Sequence, residues 1–421
     1  MMEFTKDFKI PDPVPQAGIE QAVKLMETGR MYRYNFHAEF EEEIDPSELD
    51  DELATEVTKL EYEFSRYIEH KYVIAVNSCG SALFMSLKAA GLEYQDKVFS
   101  NAFTFTAVPS SIVHAGGIPI YLECNSQYLI DVEDFKRKIK QHPDAKYFIA
   151  SHMRGHVSDM EAIKKICDEE GIYLIEDCAH SLGAKWSNGK HVGHTAKIAC
   201  FSSQSYKMLN SGEGGFIATS DERVAAYCIL AAGCYEKLYK KHLARPFNDE
   251  IFEELKPYVP NFSLRMTNLT AAVLRPQLGI LDEKINRYNT LYDQLAGILE
   301  TVESIHIPPS LDRVKRAPDS MQFNLLNFTK SQVDQFVKDT AVKGLKIQIF
   351  GRLDNARYFK NWQYSFTEMP ELKQTEEIIA CACDLRLSPS FTTEDIDTIG
   401  RIIKDVLKDI VGETNQALSS V

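Results

Sequence analysis

Residues 201–215 read FSSQSYKMLNSGEGG and hold a single lysine, Lys207, between a polar run and a glycine-rich turn. An amine attacks a carbonyl carbon only in its neutral form, which burial or a nearby cation favours by lowering the amine's pKa. Schiff-base formation with an aldehyde is the commonest covalent use of such a lysine. Lys207 is therefore a candidate nucleophile toward a bound aldehyde.

Pyridoxal phosphate would supply that aldehyde, and it makes three further demands: an acid for its pyridine nitrogen, donors for its phosphate and a flat face for its ring. Asp177 in LIEDCAHS ends an apolar strand, where a pyridinium would stabilise its carboxylate. Gly80 and Ser81 in NSCGSAL lie at a predicted helix N-terminus, which favours phosphate. Phe105 in FTFTAV offers a ring face.

Each of these residues also has an ordinary structural explanation. A buried aspartate is more often a satisfied structural acid, a Gly-Ser helix start is usually only a cap, and a phenylalanine is more often core. A lone lysine is an exposed surface amine in most proteins. The chain order of the candidates and their shared position at strand ends favour the cofactor site.

The elements that position these residues alternate along the chain. Short apolar strands separated by amphipathic helices predict an α/β fold with a mostly parallel sheet covered by helices on both faces. Ligands bind at the carboxyl ends of such strands. The predicted strands end in polar pairs: Asn77 and Ser78, Ser151 and His152, Glu176 and Asp177, Ser202 and Ser203.

The pattern changes near residue 281 to one long helix, short strands and two further helices near 330–343 and 393–410. This change predicts a large cofactor-binding domain at 1–280 and a smaller α+β C-terminal domain at 281–421. A chain of 421 residues is also long for a single core.

Amino-acid composition and net charge limit the classes of partner that the protein can bind. A formal net charge of −14 argues against nucleic acid and anionic membrane surfaces, and 44% hydrophobic residues predict a globular protein. The nine cysteines show no paired spacing, and the N-terminus lacks a signal-peptide pattern. We therefore expect a cytoplasmic protein acting on small molecules.

The histidines of HVGH at 191–194 have no further ligand nearby, so no metal site is predicted.

The motifs together resemble the DegT-type sugar aminotransferases, which are fold-type-I pyridoxal-phosphate enzymes. The likeness covers about residues 20 to 410. The segments that carry it are NSCGSAL, NAFTFTAVPSSIVHAGGIPIYLE, ASHMRGHVSDMEAI, IYLIEDCAHSLGA, IACFSSQSYKMLNSGEGGFIAT, NFSLRMTNLTAAVLRPQL and LSPSFTTEDIDTIGRII. The resemblance implies a seven-stranded, aspartate-aminotransferase-like large domain and a homodimer with shared active sites, in which residues 261–268 reach across the interface.

The resemblance also implies residue roles. Lys207 would form the Schiff base and shuttle the proton, Asp177 would pair with the pyridine nitrogen, and His180 would lie against the ring or its hydroxyl. Gly80, Ser81 and Ser202 would hold the phosphate. Phe105 would lie on the open face of the cofactor ring.

Several positions depart from the family pattern. Ser78-Cys79-Gly80 replaces the usual Ser-Gly-Thr, and Ser203 and Gln204 replace the usual Phe and Tyr or His. Ser263 stands where an asparagine normally meets the partner's phosphate. We keep Gln204 and Ser263 as cofactor-binding candidates. Because Lys207 is present, the dehydratase branch, which resembles the rest but carries histidine there, is disfavoured.

The implied reaction moves an amine from a donor, expected to be glutamate, onto the cofactor and then onto a keto or aldehyde sugar. GRMYRYNF at 29–36 and FGRLDNARYFKNW at 350–362 resemble the acceptor-binding segments of a branch acting on the C8 aldehyde of an oxidised eight-carbon keto-sugar acid. The substrate-binding candidates are Arg33, Tyr34, Arg352 and Lys360, with Arg30 and Arg357 close by in sequence. Guanidinium groups would suit a carboxylate or a nucleotide diphosphate about equally.

Three alternatives remain open from the sequence. The acceptor segments could be ordinary surface loops. The site could catalyse dehydration or elimination, which would give no pyridoxamine form with glutamate. The protein could bind the cofactor in a regulatory role without turnover, which the changes at 79–80, 203–204 and 263 make conceivable.

Overall fold

A computed structural model describes residues 3–49 and 53–419 of the chain. The helices are α1 (Gln16–Thr28), α2 (Glu56–Ile68), α3 (Cys79–Ala89), α4 (Ala107–His114), α5 (Val132–Gln141), α6 (Met160–Glu170), α7 (Glu222–Gly233), α8 (Asp249–Leu255), α9 (Asn268–Leu278), α10 (Leu281–Leu299), α11 (Lys330–Val342), α12 (Lys373–Ala380) and α13 (Thr393–Ser419). The strands are β1 (Tyr72–Val76), β2 (Lys97–Asn101), β3 (Ile118–Leu122), β4 (Tyr147–Ser151), β5 (Tyr173–Asp177), β6 (Lys185–Trp186), β7 (Ile198–Ser202), β8 (Gly215–Thr219), β9 (Ile305–His306), β10 (Val314–Lys315), β11 (Ser320–Leu325), β12 (Ile347–Ile349) and β13 (Ala382–Arg386).

The main sheet has seven strands in the order β1-β8-β7-β5-β4-β2-β3. All neighbours pair in parallel except β8, which is antiparallel to both β1 and β7. The helices that connect the parallel strands cover the sheet, as the right-handed crossover geometry of such connections requires. The predicted α/β class and the mostly parallel seven-stranded sheet are confirmed.

Strand β1, YVIAV, shows why these segments form strands buried on both faces. All five of its residues are buried. Successive side chains of a strand point to opposite faces. Val73 belongs to the same buried cluster as Phe64 and Phe201, whereas Ile74 belongs to a second buried cluster with Ile198. Each such apolar side chain contributes roughly 1.5–3 kcal/mol when fully buried. Because both faces of this strand are buried, its sequence is a continuous apolar run and does not alternate with polar residues.

A second, four-stranded antiparallel sheet has the order β12-β13-β11-β9, and α10, α11 and α13 pack with it. Its core also takes in the N-terminal segment, since Phe4 and Phe8 both contact the ring of Phe391. All four strands follow residue 281, but this N-terminal segment comes from the other side of that point. The domain division at 280 stays a prediction.

No helix in the two described ranges is both long enough and apolar enough to cross a membrane.

Candidate active site

The site lies where the parallel strands of the main sheet end. β5 lies between β4 and β7, so the last residues of these three strands, Ser151, Asp177 and Ser202, meet at one edge. The edge is the expected binding position in a parallel sheet. Of the three, Asp177 carries the charge and is only 6% exposed.

Asp177 is held by donors from its neighbours. Its Oδ2 accepts a hydrogen bond from Ser151 Oγ at 2.7 Å, and its Oδ1 accepts one from the Ala179 N–H at 3.1 Å. Ser151 Oγ in turn accepts from Thr104 Oγ1 at 2.7 Å. These bonds fix the carboxylate at the strand end. Sequence reasoning noted Ser151 as a strand end but did not identify it as the partner of Asp177.

Lys207 lies on a tight turn that follows β7. Its N–H donates to the Gln204 carbonyl at 2.8 Å, and Gln204 Oε1 accepts from the Tyr206 N–H at 3.1 Å. The turn closes where Ser203 N–H donates to the Gly214 carbonyl at 3.0 Å. A Cβ on Gly214 would lie 2.3 Å from Ser203 Oγ, so a larger residue there would displace that hydroxyl. Gln204 shapes this turn; its predicted contact with the cofactor stays a prediction.

The Lys207 amine heads a chain of polar contacts. Lys207 Nζ lies 2.6 Å from His180 Nε2, and His180 Nδ1 lies 3.4 Å from Asp319 Oδ2. The Asp319 carboxylate can only accept, so the imidazole proton belongs on Nδ1 and the lone pair on Nε2 faces the amine. Asp319 also accepts from Ser320 Oγ at 2.7 Å. The predicted residues Lys207 and His180 are thus connected to Asp319, which was not predicted from the sequence.

Burial governs the protonation of this chain. Burial lowers the pKa of Lys207 to about 7, with the nearby Arg154 charge adding to the lowering and Asp319 opposing it. Burial and then the Lys207 charge lower the pKa of His180 to about 3, so His180 is neutral at physiological pH. A substantial fraction of Lys207 is then a free amine near neutrality, which is the state that attacks an aldehyde.

The candidate phosphate donors surround the N-terminus of α3. Ser78 caps the helix by accepting from the Ser81 N–H at 3.0 Å, and Ser81 Oγ donates to Asn77 Oδ1 at 2.7 Å. The first N–H groups of a helix lack intrahelical partners and attract anions. Gly80 lies within this first turn, and Ser202 is buried at the end of β7. An amine of lowered pKa, a buried carboxylate and this helix N-terminus together fit pyridoxal phosphate.

Phe105 follows β2 and is 38% exposed, which leaves part of its ring open to a ligand. The Arg357 guanidinium carbon lies 5.5 Å from the centre of this ring. Exposure of so large an aromatic side chain is unusual for a core residue. The geometry is compatible with the predicted ring-stacking role, which stays a prediction.

Ser263 lies on an exposed segment beside the end of β1. It has a left-handed φ of 55°, and its N–H donates to Asn261 Oδ1 at 2.9 Å. The next residue, Leu264, accepts from the Asn77 N–H at 2.9 Å. Residues 261–265 therefore adjoin the phosphate-donor turn within one chain. Contact between Ser263 and a phosphate of a partner subunit stays a prediction.

Arg33 and Tyr34 lie in the protein interior. Arg33 is 1% exposed, and its Nη1 and Nη2 donate to Glu61 Oε1 and Oε2 at 3.0 and 2.8 Å. The Tyr34 hydroxyl donates to His242 Nε2 at 2.8 Å. These contacts already use the groups that would bind a substrate, so the structure gives both residues a structural role. Their role in substrate binding stays a prediction.

Arg352 and Lys360 both have acidic partners at the surface. Arg352 Nη2 donates to Asp334 Oδ1 at 2.6 Å, and the Lys360 amine pairs with Glu376. Arg357, in the same segment, is the one that contacts a predicted cofactor residue, Phe105. The acceptor-binding role of Arg352 and Lys360 stays a prediction.

Three further charged residues near Lys207 were not predicted as site residues, although Arg154 lies within the quoted segment ASHMRGHVSDMEAI. Asp319 precedes β11, Arg154 follows β4, and Arg386 ends β13. Arg154 Nη1 lies 3.6 Å from Asp319 Oδ1, and Arg386 lies 4.6 Å over the ring of Tyr206, the neighbour of Lys207. Their positions after or before strands were readable from the sequence, but no spacing links residues so far apart in the chain.

The histidines of HVGH have other contacts. His194 Nε2 donates to the Ile68 carbonyl at 2.6 Å and its ring stacks on His70. Within the described ranges the group of possible metal ligands is His152, Glu176 and Cys178, all buried. Glu176 Oε1 there accepts from the Ala196 N–H at 2.7 Å, and Oε2 accepts from His152 Nε2–H at 3.1 Å. These bonds account for the buried carboxylate.

Comparison with known proteins agrees with this geometry. The DegT/DnrJ/EryC1/StrS aminotransferase family matches residues 19–404. The spore coat polysaccharide biosynthesis protein SpsC of Bacillus subtilis (strain 168) is similar, with 25% identity over 367 residues, 84% of this chain and 90% of SpsC. GDP-perosamine synthase of Vibrio cholerae is 31% identical over 247 residues, 58% of this chain and 63% of that enzyme.

Solved structures share the fold. 3-Amino-5-hydroxybenzoic acid synthase has a TM-score of 0.77 at 22% identity, covering 96% of this chain and 99% of its own. The putative sugar aminotransferase Spr1654 from Streptococcus pneumoniae, in its PLP-form, has a TM-score of 0.77 at 17% identity, covering 97% and 100%. The chain therefore belongs to the DegT/DnrJ/EryC1/StrS aminotransferase family and is a pyridoxal-phosphate-dependent aminotransferase.

Proposed function

We propose that this aminotransferase takes the amino group of glutamate and delivers it to a carbonyl sugar, with Lys207 as the residue that moves the proton. The observation that carries the proposal is the Lys207 amine, whose pKa is lowered to about 7 and whose Nζ lies 2.6 Å from a neutral imidazole. A base with a pKa near the working pH is the most effective proton carrier.

The chain's own residues divide the remaining work. When bound, pyridoxal phosphate supplies the aldehyde and the electron sink for the carbon that carries the amine. Asp177 would hold the pyridine nitrogen, and the α3 N-terminus with Ser78, Ser81 and Ser202 would hold the phosphate. His180, kept neutral, accepts from the Lys207 amine and orients it. Lys207 then removes the proton from the donor carbon and later returns one to the acceptor carbon.

For the acceptor we propose a keto-sugar acid, in particular the C8 aldehyde of an oxidised eight-carbon acid. The resemblance of residues 29–36 and 350–362 to the corresponding segments of that branch supports it. The relatives' printed names, spore coat polysaccharide biosynthesis and GDP-perosamine synthesis, support a sugar acceptor more generally and make keto-sugar nucleotides the main alternative. A homodimer with a shared site and a cytoplasmic location belong to the same proposal.

An absorbance spectrum before and after adding glutamate tests the first half of the reaction. We expect the cofactor band of the wild type to convert to that of the pyridoxamine form, and Lys207→Ala to convert about 10³-fold more slowly or not at all. The matched control is Lys165→Ala, since Lys165 is 77% exposed and remote in its contacts, pairing with Glu169.

The second half of the reaction identifies the acceptor. The pyridoxamine form is mixed with a keto-sugar acid or a keto-sugar nucleotide, and return of the original band reports amine transfer. Faster return with the acid supports the proposal, and return only with the nucleotide overturns the choice of acceptor. A cofactor band that glutamate leaves unchanged would overturn glutamate as the donor, and release of water or ammonia without a pyridoxamine form would point to dehydration or elimination.

A further inference from the structure

A chain of buried hydroxyl groups ends on the carboxylate of Asp177. Thr104 Oγ1 lies 2.7 Å from Ser151 Oγ, and Ser151 Oγ lies 2.7 Å from Asp177 Oδ2. Thr104 and Ser151, here called the hydroxyl pair, are both buried, and so is Asp177. Because the surroundings are not water, each of these hydroxyl groups needs its hydrogen-bond partner within the protein.

The carboxylate determines the order of the protons in this chain. An ionised carboxylate only accepts hydrogen bonds, so the Ser151 hydroxyl donates its single proton to Asp177 Oδ2. The oxygen of Ser151 then accepts the single proton of the Thr104 hydroxyl. Both protons therefore point toward Asp177, and the hydroxyl pair suits the ionised form of its carboxyl group. Hydrogen bonds to an ionised acceptor are stronger than those between neutral groups.

Asn101, the last residue of β2, holds the backbone on both sides of the hydroxyl pair. The Ser151 N–H donates to Asn101 Oδ1 at 2.9 Å, and Asn101 Nδ2 donates to the Ser151 carbonyl at 3.1 Å. The same nitrogen donates to the carbonyl of Phe103, next to Thr104, at 2.7 Å. The backbone pairing of β2 and β4 stops before Ser151, so these side-chain bonds extend it. Ser151 and Thr104 are thereby fixed beside one another.

The two oxygens of the Asp177 carboxylate have different neighbours. Oδ2 accepts from the hydroxyl pair, whereas Oδ1 lies 3.9 Å from the sulfur of Cys79. Cys79 is the first residue of α3, whose N-terminus is the candidate phosphate site. The hydroxyl pair thus binds one oxygen of the carboxylate, and the other oxygen adjoins the site into which pyridoxal phosphate fits.

We propose that Thr104 and Ser151 are positioning residues for the cofactor ring, because they hold the Asp177 carboxylate where it pairs with the protonated ring nitrogen. The terminal torsion of an aspartate is broad, so a carboxylate with neither oxygen anchored takes many orientations. A group that is already oriented loses less conformational freedom when its ligand binds. The inference rests on the proposed pairing of Asp177 with the ring nitrogen.

Two cofactors that differ in one ring atom test this role without any reaction. The apoprotein is equilibrated by dialysis with pyridoxal phosphate, or with the analogue in which carbon replaces the ring nitrogen, and the Kd of each is measured. Both molecules carry the aldehyde and the phosphate, so a change in the ratio of the two Kd values between variants reports the contact at the ring nitrogen. We expect the wild type to bind pyridoxal phosphate at least about tenfold more tightly, because only its ring offers a charged donor to Asp177.

Three variants of the hydroxyl pair should change this ratio in order. Ser151→Ala removes the donor to Asp177 and should lower the ratio about three- to tenfold. Thr104→Val removes the second hydroxyl at nearly the same size and should lower it about two- to threefold, whereas Thr104→Ser keeps the hydroxyl and the wild-type ratio. The matched control is Thr340→Val, since Thr340 is equally buried and its hydroxyl donates to the Phe336 carbonyl at 2.7 Å within α11. Its ratio should not change.

Circular dichroism and urea unfolding of each variant establish that it is folded before binding is compared. A general structural defect raises both Kd values together, so a wild-type ratio in folded Ser151→Ala and Thr104→Val overturns the proposal. Asp177→Asn separates that failure from a failure of the proposed function. A ratio that falls in Asp177→Asn but not in Ser151→Ala shows that Asp177 meets the nitrogen without help from the hydroxyl pair. A ratio that Asp177→Asn leaves unchanged overturns the pairing itself, and the positioning role with it.

Discussion

Among the arginine-containing charge clusters of this protein, two differ clearly in how the charge is balanced. In the first, Arg33 is bidentate to Glu61, whose Oε1 also accepts from the Ala75 N–H at 2.8 Å and whose Oε2 accepts from His242 Nδ1–H at 2.9 Å. In the second, here called the arginine cluster (Arg154, Arg357 and Arg386) near Lys207, Arg357 and Arg386 have no carboxylate partner among the described residues. One cluster is neutral by pairing, and the other carries excess positive charge.

The difference lies in whether the positive charge of an arginine is cancelled by a carboxylate of the protein. Arg33 and Glu61 join the segment before α2 to α2 and β1, and their charges cancel within the protein, although the buried Arg33 Nε has no hydrogen-bond acceptor. In the arginine cluster, by contrast, Arg357 and Arg386 have no acidic partner among the described residues, so part of its positive charge is not cancelled by an ion pair. The sequence alone favoured Arg33 for substrate binding, because a local segment does not show which acid will meet an arginine in the fold.

The largest effect should come from breaking the balanced cluster. Glu61→Gln leaves the Arg33 guanidinium buried without its carboxylate, and we expect the free energy of unfolding to fall by about 3–5 kcal/mol. Urea unfolding measures it. The control Glu254→Gln removes the exposed partner of Arg223 and should cost less than about 1 kcal/mol. Equal losses in the two variants would contradict the assignment of Arg33 to a structural pair.

The same carboxylate predicts a pH dependence. Burial acts to raise the pKa of Glu61, but Arg33 and then His242 outweigh it and lower the pKa to about 2, below the unfolded value of 4.5. The stabilisation from Glu61 is therefore present above pH 4.5 and lost as the pH falls toward 2. Glu61→Gln should lack this part of the acid transition.

An intermediate effect on the reaction rate is expected at Asp319, which contacts both His180 of the site and Arg154 of the arginine cluster. Asp319→Asn removes the carboxylate that faces His180 and that opposes the lowering of the Lys207 pKa. We expect the half-reaction with glutamate to slow about 10- to 100-fold, because the lysine loses its oriented partner. In the apoprotein, the pH midpoint for reaction of Lys207 with pyridoxal should move to lower pH. A midpoint that moves upward, or does not move, would contradict the contact chain.

The smallest effect concerns the stability of the apoprotein. Lys207 titrates at about 7 in the fold and at 10.5 in the reference state, so its burial costs stability fully below pH 7, and that cost disappears as the pH rises toward 10.5. We therefore expect Lys207→Met to have a free energy of unfolding at least about 1 kcal/mol higher than that of the wild type at pH 6.5, because the cost of the buried ammonium is removed. The gain should shrink at pH 9.5. A stability gain of Lys207→Met that grows with pH would contradict a lowered pKa of Lys207.

Much of the fold followed from the sequence, since strands buried on both faces must be apolar and helices between them must be amphipathic. The order of the strands, and the reversal of β8, did not follow, because pairing partners leave no local trace. The N-terminal phenylalanines show the same limit. Phe4 and Phe8 are apolar in any environment, and only the fold reveals that they pack with Phe391.

The candidate site divides in the same way. Asp177, His180 and Lys207 could be found because each sits at a strand end or on a turn with a recognisable neighbourhood. Asp319, Arg154 and Arg386 could not, because their meaning comes from contacts between distant segments. The arginines predicted in 29–36 and 350–362 to meet the acceptor are a further example: Arg33 and Arg352 have acidic partners in the fold that their local segments do not reveal, and their role in substrate binding stays a prediction.

The contact between His180 and Asp319 connects the two sheets beside the Lys207 amine. His180 follows β5 of the main sheet, while Asp319 immediately precedes β11 of the antiparallel sheet. The proton affinity of the lysine therefore depends on how the antiparallel sheet is seated against the main one. A change in the distance between Asp319 and His180 would change the charge that Lys207 experiences, so the pH dependence of the reaction should report how the two sheets are placed.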